Sequence, residues 1–427
     1  MKFAALINYG PDMSKIAEIR PTHRKYLADL LAAGKLAISG PFVDDSGALI
    51  VYETETEEEA DKLLRDDPFS KAGVFASWTF KPWNIVFAHG GLLPLVPPPA
   101  DPGLVMGEVM IYQRTEALNA ALNLEIFTHV AAGVNTAAAL AAKIGAAERG
   151  VRILCDFLAI SGMLTKQGNT YGLGATANVF LDKSKPSYMG GIANFLLHPY
   201  HRGGFANLTQ IVRDGGYVSR SQDSVYDEGF WVDFAQHMAP ITGTVAGIAA
   251  RELAGLAPKK VLDISAGHGM FGIELAKAVS GAEIVALDSP AVLAVAKENA
   301  VKFGVGDRYT LRPGSAFEVD LGSGYDLILV PNFLHHFDTD MCVGFLKKAK
   351  AALKLGGTVA IVEFVPNPDR VTPPMAAGFA LTMLAQTAAG DAYTFDELAS
   401  MLTSAGFRDA KLTELKPSPQ RLVTGIA

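Results

Sequence analysis

Two adjacent histidines, His335 and His336, stand in the stretch NFLHHF, directly after the apolar run YDLILVP. An imidazole at the carboxyl end of a strand is a candidate general base. Its ordinary pKa of about 6.5 lets a neutral ring take a hydroxyl proton at neutral pH. A second chemistry-bearing stretch is VLDISAGHGMFG, which carries Gly267, Gly269 and Gly272 in the spacing G-x-G-x-x-G between a strand pattern and a helix pattern. Glycines there let the backbone turn sharply and approach a ligand beside a helix N-terminus. Asp288 closes the next strand pattern, 19 residues after Gly269, and is placed to accept the hydrogens of two ribose hydroxyls.

The glycine pattern by itself permits NAD, or a tight strand-to-helix turn with no ligand. Three features favour S-adenosylmethionine. Asp263 lies in the strand four residues before Gly267, where a carboxylate suits a ligand with a cationic amino-acid end and crowds a pyrophosphate. The C-terminus offers DAKLTEL and QRLVTGI, a hairpin pattern rather than a second parallel half. A helix-rich segment, FAQHMAPITG, leads into the domain.

The elements that must position these residues fall into segments. Residues 255–427 alternate strand runs (KVLDISA, EIVALD, RYTLRPG, YDLILV, GTVAIVEF) with helical runs, which predicts a doubly wound, mainly parallel α/β sheet with its ligands at the strand ends. Residues 104–200 are rich in alanine and leucine and read as helices followed by a short hairpin, MLTKQGNTYGL, a winged-helix pattern; 201–254 read as connecting helices. Before them, the proline-rich stretch 96–103 reads as a semi-rigid linker. Residues 1–95 show a β-α-β-β-α-β order, which predicts a ferredoxin-like α+β layer.

Composition narrows the classes. Of 427 residues, 49% are hydrophobic and the net charge is −7, which argues against a nucleic-acid or anionic-membrane surface. Two distant cysteines, Cys155 and Cys342, make neither a disulfide framework nor a metal set and fit a reducing cytoplasm. No signal peptide or membrane-spanning run is expected.

Residues from about 104 to 427 resemble the small-molecule O-methyltransferases. The resemblance is carried by VLDISAGHG, ALD, GSAF, HHFDTDMC, LKLGGTVAIVEF and FDELASMLTSAGF. It implies a dimerising winged-helix region and a Rossmann-like class I methyltransferase domain that binds S-adenosylmethionine without a metal. It makes His335 the general base that takes the proton of an acceptor hydroxyl, with Glu363 as its orienting acid. His336 falls where the family often has Asp, and is expected to point away, capping or orienting the next helix. The family's second flanking acid falls on Ala392, so either the adjacent Asp391 substitutes or the base has one partner. For the methyl donor the resemblance implies Asp263, Gly267, Gly269, Asp288, Thr242 and Phe317, with Ser315 where an adenine-binding acid is usual. Asn332 is expected to contact donor or acceptor. Phe234, Met238 and Met383 are expected to line the acceptor pocket, where apolar and thioether side chains suit a flat aromatic ring. Residues 1–95 resemble the YCII-related domains on THRKYLADLLAAGKLAISGPF and FKPW, which implies a His23–Asp45 dyad, with Asp44 as rival, in a non-catalytic role.

The expected function is methyl transfer to a hydroxyl of a small, aromatic acceptor by a cytoplasmic homodimer, with neither nucleic acid nor membrane as partner. Two alternatives are a small-molecule N- or C-methyltransferase and a non-enzymatic, ligand-sensing winged-helix regulator. Against the regulator, segment 104–185 holds seven Lys/Arg and six Asp/Glu, not the basic face that duplex binding requires.

Overall fold

The computed structural model describes residues 1–84, 101–217 and 228–427, and the chain divides into two units, Met1–Val109 and Met110–Ala427. The first unit has four antiparallel strands, β1 (Lys2–Tyr9), β2 (Leu36–Pro41), β3 (Gly47–Glu53) and β4 (Phe75–Trp83), in the order β2-β3-β1-β4. Period-2 alternation turns Phe3, Ala5 and Ile7 of β1 inward against Ile50 and Tyr52 of β3. The helices Met13–Ala32 and Glu57–Asp66 supply Ile16, Leu30 and Leu64 to the same core, giving the ferredoxin-like layer. Asp12 and Thr56 cap these helices through their side chains. Most of the proline-rich linker lies outside the described residues. A helix, Pro102–Met110, already begins in the linker's last residues, because proline is tolerated in a first helical turn.

The second unit begins with short helices and the hairpin of β5 (Leu164–Gln167) and β6 (Thr170–Leu173). Phe127, Leu140, Cys155, Leu158 and Tyr171 form its core, a helical cluster with one wing. A long helix, Glu228–Ala254, then leads to the large sheet. That sheet comprises β7 (Lys260–Ile264), β8 (Glu283–Asp288), β9 (Tyr309–Pro313), β10 (Tyr325–Pro331), β11 (Leu353–Glu363), β12 (Arg408–Glu414) and β13 (Arg421–Ile426), in the order β12-β13-β11-β10-β7-β8-β9. Strands β7 to β11 are mutually parallel, and β13 runs antiparallel to both β11 and β12.

Both faces of the sheet are covered, which is why its strands read as near-continuous apolar runs. Val261, Leu327, Leu329, Ala360 and Val362 face one core; Leu262, Ile264, Ile328, Val330 and Ile361 face the other. Strand order reverses between β7 and β10, so the connections that leave their carboxyl ends run to opposite faces of the sheet, which leaves a crevice there. Among the described residues no helix is long and apolar enough to cross a membrane.

Candidate active site

One cavity of about 1730 Å³ opens at that crevice. It is bounded by the carboxyl ends of the strands, by the helix Glu228–Ala254 and by the helix Pro374–Gln386.

At its β7–β8 end the chain makes a close turn. Ser265, Gly267 and Gly269 all adopt positive φ, at 50°, 56° and 79°. The Gly267 N–H donates to Asp288 Oδ2 at 2.9 Å, and the Ser289 N–H donates to Asp288 Oδ1 at 2.7 Å. Burial raises the Asp288 carboxyl above its ordinary range, against the pull of these two amides. A Cβ on Gly269 would lie 2.7 Å from the Tyr309 hydroxyl, so only glycine fits. Gly267, Asp288, Thr242, Ser315, Phe317 and Asn332 all line the cavity. Ser315 Oγ accepts the Phe317 N–H at 3.3 Å. Phe317 packs edge-on against Phe337, with ring centroids 4.8 Å apart.

Asp263 stands differently from expectation. It is fully buried beneath the turn and does not border the cavity. Its Oδ2 accepts the Gly272 N–H at 3.0 Å. Strand alternation explains this: Asp263 shares the face of Val261, where the helix Met270–Ala278 packs, rather than the open strand end. Burial raises its carboxyl well above the ordinary range. It holds the glycine turn to the helix behind it and is not a contact for a ligand's ammonium.

At the β10–β11 end the histidines stand in a 3-10 turn, Leu334–His336. His335 is buried, and its Nδ1 lies 2.6 Å from Glu363 Oε2. Glu363 Oε1 accepts the backbone N–H groups of Phe333, Leu334 and His335 at 2.9, 3.0 and 3.4 Å. One oxygen thus fixes the turn while the other fixes the ring. A neutral ring that keeps this contact with a carboxylate donates from Nδ1 and leaves the lone pair on Nε2.

His336 does not point away. Its ring also borders the cavity, with Nε2 3.1 Å from His335 Nε2. The next helix, Thr339–Ala352, is capped by Asp338, whose Oδ1 accepts the Met341 N–H at 2.8 Å. Asp391 does not replace the second acid. It pairs with Arg370 at 3.2 Å on the surface and is not part of the cavity wall.

Phe234, Met238 and Met383 line the cavity together with Trp231, Phe195, Phe364 and Phe379. Phe234 stacks on His268 at 5.9 Å and would touch a Cβ on Gly267 at 3.4 Å, so it roofs the glycine turn. His268, His201, Gln386 and Gln420 also border the cavity and were not foreseen. His268 Nδ1 accepts the Met270 N–H at 3.1 Å, and burial lowers its pKa to about 4. Gln420 bonds Asn332 across the cavity wall. His268 is the residue between the first two glycines of the glycine motif; the other three arrive from helices and the β12–β13 turn, which no local motif marks.

In the first unit, His23 pairs with Asp67 and not with Asp45. His23 Nδ1 is 2.7 Å from Asp67 Oδ1, and its ring stacks on Phe69 at 3.9 Å. Asp67 caps the short helix Pro68–Lys71, which packs against the helix that carries His23. Asp45 and Asp44 are exposed in the turn after β2. Among the described residues no group of three or more His, Cys, Asp or Glu side chains is arranged to hold a metal ion.

Comparison with known families gives three matches: an O-methyltransferase domain over residues 218–408, an O-methyltransferase dimerisation domain over 109–183 and a YCII-related domain over 1–84. A crystal structure of a protein designated an O-methyltransferase from Nostoc punctiforme is 44% identical, with a TM-score of 0.74, covering 77% of this chain and 100% of that one. The 3-hydroxy-5-methyl-1-naphthoate 3-O-methyltransferase of Streptomyces sahachiroi is 27% identical over 73% of this chain and 92% of its own. Human N-acetylserotonin methyltransferase in complex with S-adenosylmethionine shares the fold, at a TM-score of 0.68 and 22% identity over 78% of this chain and 99% of that one.

Proposed function

This chain belongs to the S-adenosylmethionine-dependent O-methyltransferases, and from that premise we propose that it methylates a hydroxyl of a small aromatic acceptor with His335 as general base. The observation that carries the reading is the Glu363–His335 pair at 2.6 Å, with His335 lining the same cavity as the glycine turn.

The residues present fit the methyl donor. Gly267 leaves a cradle that a side chain would fill, against the Phe234 ring. Asp288 keeps unused lone pairs for ribose hydroxyls, and Thr242, Ser315, Phe317 and Asn332 border the remaining wall. When bound, S-adenosylmethionine supplies a methyl group on a sulfonium sulfur that keeps the bonding electrons on transfer. The chain's own work is alignment, desolvation and deprotonation. As the acceptor oxygen forms its bond to the methyl carbon, its proton passes to His335 Nε2. Glu363 holds the ring in the required tautomer and stabilises the imidazolium that forms. The acceptor-side wall of Phe195, Trp231, Phe234, Met238 and Met383 suits a flat apolar ring system. The naphthoate-methylating relative sets the first acceptors to try.

The test is calorimetric titration with S-adenosylhomocysteine, with NAD in parallel, followed by a methylation screen of hydroxynaphthoates and phenols using wild type and His335→Ala. Binding of S-adenosylhomocysteine, together with activity lost in the variant, supports the reading. A fully active His335→Ala refutes the general base.

A further inference from the structure

The second histidine has a role in the same site, and the argument rests on the reading of His335 as base. As the neutral base, His335 donates a hydrogen bond from Nδ1 to Glu363, so its Nε2 accepts. The His336 Nε2 lies 3.1 Å away. That contact is a hydrogen bond only if His336 carries its hydrogen on Nε2. The two rings, with centroids 4.2 Å apart and planes tilted by 52°, both border the cavity. Trp231 stands edge-on to His336 at 5.8 Å on the acceptor side. In that tautomer, and without an acceptor, the Nε2–H of His336 faces the base's Nε2.

An acceptor oxygen that donates its proton to His335 Nε2 must replace this contact, with the His336 N–H turning from the nitrogen to the oxygen. An oxygen about 2.8 Å from both nitrogens makes a nearly equilateral triangle on the observed N···N edge. We infer that His336 is a second catalytic imidazole, whose Nε2–H donates to the same acceptor oxygen from which His335 takes the proton. The balance is simple. The acceptor O–H proton goes to His335 Nε2, the O–C bond forms with an oxygen lone pair, and the S–C bonding electrons stay on sulfur. His336 keeps its proton throughout and stabilises the charge that develops on oxygen. Burial and the neighbouring His335 hold His336 neutral, so it supplies a dipole without the strong quenching of the nucleophile that an imidazolium would impose. Such a donor helps weakly acidic hydroxyls most, and the acceptor class it fits is unactivated phenols and naphthols.

The first test needs no acceptor. Long-range ¹H–¹⁵N correlation on the ¹⁵N-histidine-labelled full chain at pH 7, assigned with His335→Gln and His336→Phe, should show His335 as the Nδ1–H tautomer and His336 as the Nε2–H tautomer. A His336 protonated at Nδ1, or a doubly protonated His335, overturns the inference. The second test compares a hydroxynaphthoate with a ring-fluorinated analogue of lower hydroxyl pKa. His336→Phe should slow the weaker acid by roughly 100-fold and the stronger acid by much less. His336→Gln, which keeps an N–H, should restore much of the rate. Equal loss on both acceptors, with S-adenosylhomocysteine binding intact, would make His336 a pocket wall only and sink the inference. The base reading stands or falls separately, on His335→Ala.

Discussion

Glu363 binds three backbone amides with one oxygen and one imidazole with the other, so replacing it tests tautomer control directly. In Glu363→Gln an amide N–H facing His335 Nδ1 would push the ring hydrogen onto Nε2 and remove the basic lone pair. We expect kcat to fall by roughly 10²- to 10⁴-fold, while calorimetry shows S-adenosylhomocysteine binding little changed. A second prediction concerns His201, whose pKa burial lowers to about 4. The unfolded chain takes up this proton below about pH 6.5, whereas the folded state refuses it until near 4. The associated stability is complete above pH 6.5 and is lost as the pH falls toward 4. His201→Phe lacks this penalty. Its urea midpoint relative to wild type should therefore rise between pH 7 and 4.5, and a constant difference would contradict the neutral burial of His201. At this scale, the neighbours in sequence of His335 carried enough family pattern to single it out. Asp263 and His23 did not yield their contacts, because side-chain direction depends on strand register and on which helix packs opposite.

The elements were the most legible part. Seven strand runs in the C-terminal segment, read from apolar patterning, correspond to β7–β13, and the hairpin ending is the β12–β13 pair. What patterning could not give is how distant elements meet at the cavity. Gln420 reaches Asn332 across 88 residues, and Tyr200 donates to the Gln386 carbonyl across 186. The turn after the helix Pro374–Gln386 shows the consequence. A Cβ on Gly390 would fall 2.1 Å from the His335 carbonyl oxygen and 2.9 Å from the His336 carbonyl carbon. Both are backbone atoms and cannot rotate away. Gly390→Ala must therefore push the 3-10 turn of the two histidines outward. We expect a stability loss of about 1–3 kcal/mol by overpacking, read as a lower urea midpoint, and a loss of kcat larger than that shift would cause at the assay temperature. Unchanged kinetics would mean that the turn tolerates displacement and that its position is not set from this side.

At the scale of the whole molecule, the dimerisation domain matched over residues 109–183 indicates a homodimer. The helix Pro102–Met110, which leads up to that domain, is itself apolar and open: Leu104, Val105, Met106 and Val109 are each more than half exposed. A run of large apolar side chains this dense is unusual on a monomer surface and marks a face that another surface covers. The regulator alternative would need such a face to coexist with a basic one. Yet in the helix Glu148–Ile160 the guanidinium of Arg152 is already paired with Asp156 at 3.1 Å, and Lys166 on the wing pairs with the same carboxylate at 2.5 Å. Two of the cations that a duplex would recruit are thus held by one acid. Val105 and Val109 are four residues apart and share a helix face. The double variant Val105→Glu with Val109→Glu places like charges in that face, and across a two-fold interface it would bury four carboxylates without partners. Light scattering on wild type should give twice the monomer mass, and the variant should shift toward the monomer with its circular dichroism unchanged. A variant that stays dimeric would place the interface within residues 109–183 and leave the apolar helix Pro102–Met110 to another partner.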